Sequence, residues 1–385
     1  MHKKTLSSLL ILGTAGALFA LPPHVGSTDY KASSINNFDF NLSWEDVRLE
    51  PADSHEITVD IYCNNRKYAP KVMVSSDTLV IESVPVARNI FGGQKNCTVI
   101  VKFPEEKGFD QFKIHTASGD IRSAVTFDAN DIYFEANSGD IKVEKQISST
   151  REALIKTSSG DSFVNSVHTN KLSAKANSGN ITLGKADSQS TQVETSSGTI
   201  HIDEVSANNL ILTASSGDIT CNSFSGGDST IKTTSGNIRL KNFDAAAFES
   251  SASSGNITVK DLGCRSFNVS TSSGTIGLEL INVPVAKSSS TSSSGTQYIS
   301  MPKGSGINLQ VSTSSGSFTN AFTKEKISSH ADYNNVINGG GAKVSLTSTS
   351  GSITLDVGVG VAVPRAEDTS SDGDIPVVNI DRPIF

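Results

Sequence analysis

Twelve glycines, each preceded by serine and followed by aspartate, asparagine, threonine or serine, punctuate this chain at nearly constant intervals. They are Gly119, Gly139, Gly160, Gly179, Gly198, Gly217, Gly236, Gly255, Gly274, Gly295, Gly316 and Gly351. The first ten intervals are 19, 20 or 21 residues, and the last is 35. A fixed period near 20 residues is the mark of stacked repeats, in which each unit buries too little alone and is completed by its neighbours. A disordered Ser/Gly-rich chain would lack the registered apolar pattern that accompanies these glycines.

That pattern is strand-like. Before Gly274, the residues Phe267, Val269, Thr271 and Ser273 alternate with Asn268, Ser270 and Ser272. The same alternation appears as Leu210, Leu212, Ala214, Ser216 and as Leu172, Ala174, Ala176, Ser178. Successive side chains on a strand face opposite ways, so each set reads as an inward line. After the glycine the line resumes at Ile181/Leu183, Ile200/Ile202, Ile219/Cys221, Ile238/Leu240, Ile257/Val259 and Ile276/Leu278, with its parity broken. A parity break predicts a corner. Glycine is expected there for its access to positive φ, and the residue after it for hydrogen bonding its own turn. A further apolar residue seven positions past the glycine (Val167, Ala186, Val205, Phe224, Phe243, Leu262) predicts a second corner and a short third strand. The expected fold is all-β: a parallel β-helix or solenoid with coils of about 19 residues, right-handed by the usual rule for parallel connections.

The rest of the chain divides around this array. Residues 1–26, with Lys3-Lys4 and an apolar run from Leu9 to Leu21, read as a secretory signal peptide or an N-terminal anchor. Residues 30–112 hold strand-like runs without the repeat and are expected to form a β-rich capping module, because an open first coil would expose a pairing edge. Residues 113–361 are the expected solenoid, with an insertion or a motif-less coil between Gly316 and Gly351. Residues 362–385 turn acidic and serine-rich and read as a tail. Four cysteines fit an exported protein: Cys63 and Cys97 are candidates to pair, whereas Cys221 is an inward core residue and Cys264 lies too far away to bridge it.

Chemistry is sparse. A net charge of −7, 18% charged residues and no basic run beyond Lys3-Lys4 argue against nucleic acid as a partner. The histidines (His2, His24, His55, His115, His168, His201, His330) are scattered, and no metalloprotease, nucleophile-elbow or P-loop motif is present. No catalytic or cofactor-binding residue is therefore expected. Asp120, Asp140 and Asp161 occupy one corner position in successive coils and should stack about 5 Å apart. They could share a Ca²⁺ ion through oxygen ligands, or each could cap its own turn in solvent; Asn180 and Thr199 interrupt the series. Glu135 and Glu194 sit among Lys156, Lys175 and Lys232 as a mixed solvated face, not as the clustered carboxylates of a carbohydrate-active enzyme. One outward line stands out: Asn137, Ser158, Asn177, Ser196, Ser215, Thr234, Ser253, Ser272, Ser293, Ser314. Such a stripe could meet a glycan, a protein or ice, or simply keep the face soluble.

Several segments resemble the bacterial "putative adhesin" family of unknown function, the DUF4097-like β-solenoid proteins. The matching stretches are Trp44-Glu45-Asp46-Val47-Arg48-Leu49, Thr78-Leu79-Val80-Ile81-Glu82, Val99-Ile100-Val101-Lys102-Phe103-Pro104 and Phe109 to Ile121, followed by the Ser-Gly-Asp/Asn-Ile coils; together they span roughly residues 35–360. The resemblance implies the solenoid fold and, by analogy of architecture, adhesion; it brings no catalytic residues with it. The expectation is an exported, non-enzymatic surface or envelope interaction protein that binds a protein or glycan ligand along its coil faces. It would touch a membrane only through an uncleaved N-terminal segment. A self-associating envelope or periplasmic scaffold is the alternative, with a carbohydrate-active enzyme third.

Overall fold

The structure, a computed structural model, describes residues 21–85 and 96–360. Residues 1–20 of the expected signal or anchor, and the expected tail at 362–385, lie outside the described residues. Almost everything described is strand, and the strands stack into one parallel β-solenoid.

A central coil shows why the sequence bends where it does. Along Ile200–Ala214 the side chains of Ile200, Ile202, Val205, Ala207, Leu210, Leu212 and Ala214 are buried. The alternation slips at two outward pairs, Asp203/Glu204 and Asn208/Asn209. Two adjacent solvated residues put the next apolar side chain back on the inside only if the chain turns. With the Ser-Gly corner at 215–218, each coil has three sides. Coils pair in parallel with a shift of one repeat, so Ile181, Ile200, Ile219, Ile238, Ile257 and Ile276 form a single buried column. The predicted third apolar position also stacks inside, as Val205, Phe224, Phe243 and Leu262.

Two details of the corner differ from the sequence expectation. Ser178, Ser216 and Ser273, placed on the inward line above, are exposed; the line ends two residues earlier, at Ala176, Ala214 and Thr271. The corner glycines, moreover, are not there for positive φ, which among the described glycines belongs to Gly304, Gly339, Gly340 and Gly360. They are there for closeness. A Cβ on Gly236 would fall 1.9 Å from the carbonyl oxygen of Gly217 in the coil before it, and one on Gly139 would fall 2.0 Å from that of Gly119. The corner backbones stack in direct contact, which no side chain permits.

The buried residue three before the glycine completes the corner. Thr195 Oγ1 accepts from the amide of Gly198 and donates to the carbonyl of Gly179 in the preceding coil, both at 3.1 Å. Thr233 and Thr271 do the same for their own coils. Threonine and alanine alternate at this position (Thr157, Ala176, Thr195, Ala214, Thr233, Ala252, Thr271); at Thr195, Thr233 and Thr271 one hydroxyl serves the corners of two coils, whereas the buried hydroxyl of Thr157 has no hydrogen-bond partner. At those three corners the buried polar groups are satisfied without widening the turn.

At both ends, order in the stack departs from order in the chain. Strands Asn37–Leu42 and Asp46–Pro51 form the second coil, between Thr78–Glu82 with Cys97–Phe103 on one side and Gly108–Thr116 with Ile121–Ser123 on the other. The parallel stack thus begins well before the first Ser-Gly corner. Likewise Ala342–Ser348 and Ile353–Gly358, last in sequence among the described strands, insert between the coil at 288–302 and the coil at 307–320. The 35-residue interval holds antiparallel strands, Glu325–Ile327 and Asp332–Ile337, which close the C-terminal edge. At the other end the closing strands are Lys71–Ser75, Glu56–Cys63 and His24–Lys31. A disulfide joins Cys63 to Cys97 across paired strands there. Stacked phenylalanines fill the first coils, with Phe38 and Phe112 centred 4.5 Å apart.

Candidate functional site: the outward faces of the rod

Stacking brings together residues 19–21 positions apart, and this governs everything the surface can do. The three aspartates of the corner are an example. The amide of Asp140 donates to Asp120 Oδ1 at 2.9 Å, and that of Asp161 to Asp140 Oδ1 at 2.8 Å. The ladder starts at Asp46, whose Oδ1 accepts from the amide of Asp120, and runs on through Asn180 to Thr199. A second run links Asp218, Asn237, Asn256 and Thr275. The aspartate or asparagine side chain after the glycine therefore reaches into the next coil instead of capping its own turn, and each run ends at a threonine, Thr199 or Thr275. Asparagine serves as well as aspartate, because only an acceptor oxygen is required. Among the described residues, no three His, Cys, Asp or Glu side chains gather as a metal ion would need.

The corner also carries the polar ridge. Asn177, Ser196, Ser215, Thr234, Ser253, Ser272, Ser293 and Ser314 are exposed, and so is the serine after each of them, which doubles the row foreseen in the sequence. Its spacing is that of stacked strands, about 4.8 Å.

Several charged residues of the flat faces are matched between coils. Lys156 Nζ lies 2.6 Å from Glu135 Oε1, with His115 Nδ1 3.6 Å from Oε2; Lys175 pairs with Glu194 at 3.0 Å and Lys232 with Glu249 at 2.9 Å. His168 and His201, scattered in sequence, stand 3.1 Å from Asp187 and Asp203. A shallow cleft of about 330 Å³ around His115, Lys113, Asp39, Glu82 and Glu135 holds the densest set of these groups. The hydrogen bond from Lys156 holds the Glu135 carboxyl below the usual carboxylate range. Such a carboxylate is a poor proton acceptor at neutral pH. Cys221 is no nucleophile either: burial pushes its thiol up to about 12.

A second groove, of about 400 Å³, crosses the opposite end of the rod. It lies on the outward column Arg239, Thr258, Gly277, Tyr298, Thr354, where each residue is the strand partner of the next. Sequence reading missed it, because Gly277 and Tyr298 become neighbours only through the coil register.

A family model described as Toastrack DUF4097 matches the chain over residues 35–205, 148–259 and 185–356. The chain belongs to the Toastrack DUF4097 family. Solved structures similar to this DUF4097 chain include three named "putative adhesin". One, from Parabacteroides merdae, is 15% identical, covers 64% of this chain and 95% of its own, and has a TM-score of 0.39. Another, from Parabacteroides distasonis, is 13% identical over 86% of this chain and 96% of its own, with a TM-score of 0.33. The third, from Bacteroides fragilis, is 14% identical over 86% of this chain and 95% of its own, with a TM-score of 0.27. No curated protein matches the chain. Among the described residues no helix is long and apolar enough to cross a membrane.

Proposed function

We propose that this DUF4097 protein is an exported, non-enzymatic interaction protein of the cell surface or envelope, adhesin-like in action. The observation that carries this reading is the doubled row of exposed hydroxyl and carboxamide side chains repeated at one spacing along a rigid stack. Weak contacts repeated on a rigid support add through effective concentration, so a rod needs no deep pocket to hold a surface. The ligand would be a glycan or a protein. Protease treatment of intact cells, with lysed cells as control, tests the location: digestion on intact cells supports the adhesin-like surface reading, and protection until lysis ends it and leaves a scaffold within the envelope.

The alternative, a scaffold that self-associates within the envelope, draws on the outermost strands Lys71–Ser75 and Asp332–Ile337. Each pairs with a neighbour on one side only, among the described residues. Sedimentation of the purified chain separates the two: concentration-dependent growth into long oligomers favours the scaffold.

A further inference from the structure

Three features mark the groove beside Tyr298. First, it has a floor without a side chain. The outward column that crosses it is filled at each other level, by Phe163, Thr182, His201, Thr220, Arg239, Thr258, Tyr298 and Thr354, and empty only at Gly277. A Cβ added there would meet nothing nearer than the Ile257 carbonyl oxygen at 4.0 Å, so close packing of the coils does not explain this glycine. Second, its wall is an exposed aromatic ring: Tyr298 is 55% exposed, on the strand next to Gly277, with Ile281 at 41% and Val359 at 86% along the rim. Isolated apolar side chains are ordinary on a surface, but an aromatic and two aliphatics around one groove are a binding feature. Third, Asp261, Glu279 and Asp356 line it without a lysine or arginine, and among the described residues none of the three is in a salt bridge. Several carboxylates of the flat faces, Glu135, Glu194 and Glu204 among them, are instead matched with a lysine one coil away.

We propose that this groove binds the uncharged pyranose units of a glycan. The reading deepens the interaction role proposed above and rests on it. A pyranose has one face of C–H groups, which packs on an aromatic ring, and a rim of hydroxyls, which donate to carboxylates in charge-assisted hydrogen bonds. Tyr298 supplies the first surface and Glu279, Asp261 and Asp356 the acceptors, while the gap at Gly277 admits the ring edgewise. Three carboxylates without a cation select against sialylated or sulfated sugars, because a second negative charge would enter unpaired.

The test is an array of neutral, N-acetylhexosamine-containing and sialylated oligosaccharides probed with the full chain, followed by titration of the best binder. Neutral or N-acetylated glycans should bind, and their sialylated counterparts more weakly. Tyr298→Ala and Gly277→Gln should each weaken binding about tenfold or more, the loss expected for one ring contact or one blocked floor, with unchanged melting temperature. Tyr298→Trp should retain binding, and Tyr133→Ala, at the other end of the rod, should leave it unaltered. Absence of glycan binding, preference for sialylated glycans, or equal binding by Tyr298→Ala and Gly277→Gln would overturn the proposal. So would binding that appears only after removal of residues 361–385, which would assign the groove to the chain's own continuation beyond Gly360. Adhesion of beads coated with the same proteins separates the two levels. Beads that adhere equally with and without Tyr298 sink the groove and spare the adhesive reading, whereas wild-type beads that adhere to nothing sink both.

Discussion

The corner glycine is the residue on which this fold turns, and its role is set by contact rather than by backbone torsion. Gly236→Ala should cost about 2 kcal/mol or more in a urea melt, because the new methyl lands on the Gly217 carbonyl oxygen and the corner backbones must separate. Gly26→Ala, with no heavy atom within 4 Å of the added carbon, should stay within about 0.5 kcal/mol of wild type. The inward register gives a second contrast. Ile238 is fully buried, so Ile238→Asp places an unpaired charge between coils and should cost about 3 kcal/mol or more. Its neighbour Arg239 points outward to Asp218, and Arg239→Asp should cost under about 1 kcal/mol, since the pair is largely in solvent. Equal losses in the two variants would refute the register. Both the register and the glycine positions were legible in the sequence, because they recur at a fixed period. The reason for the glycine was not: positive φ and close approach demand the same residue, and only the distance to the next coil tells them apart. The Thr/Ala alternation before the glycine was visible in the sequence as a 38-residue period, but its sense depends on knowing that one hydroxyl reaches two coils.

At the level of elements, each strand is tied to the next by rungs as well as by backbone ladders, and the rungs titrate. The hydrogen bond from Lys156 keeps the Glu135 carboxyl below its usual range, and the Asn237 amide with Arg239 does the same for Asp218. A carboxyl whose pKa is depressed on folding stabilises the native state in full above its unfolded value, and that contribution fades as pH falls through the folded value. The melting temperature should therefore hold from about pH 8 to pH 5 and decline below about pH 4.5, and Glu135→Gln should flatten part of that decline. The effect will be modest, because both groups are partly in solvent. The end coils make a sharper prediction. Sequence order suggests that Ala342–Ser348, near the end of the described chain, should be among the first strands to fray. In the stack it is hydrogen-bonded on both sides, to Ser288–Ser292 and Ile307–Thr313. Hydrogen exchange should find its amides better protected than those of Asp332–Ile337, which forms the edge. The reverse order would mean that the insertion is wrong. Nothing in the sequence announces this insertion: an interval of 35 residues is compatible with a loop, an extra coil or a return strand, and the pairing partner is chosen by long-range stacking.

For the whole molecule, the question is whether binding is spread along the rod or concentrated at one end. The corner ridge repeats, whereas the flat faces do not: the outward column changes from Arg122 through Phe163 and His201 to Tyr298 as it climbs. A distributed ridge and a local groove therefore respond differently to length. In a solenoid each coil contacts its neighbours only, so removing one whole period leaves the register intact. Deleting residues 199–217 joins Gly198 to Asp218 and lets the strands Ile219–Cys221 and Phe224–Thr233 together take the place of Ile200–Ala214 above Ile181–Thr195. The shortened rod should fold with a cooperative melt and the same β-rich circular dichroism. If the ridge carries adhesion, bead binding should fall with each coil removed, by more than the lost area alone, because linked weak contacts multiply. If the Tyr298 groove carries it, binding should survive the deletion and vanish with Tyr298→Ala. A rod whose central coils each span one sequence period makes that separation possible, since the ruler and the site can be changed one at a time.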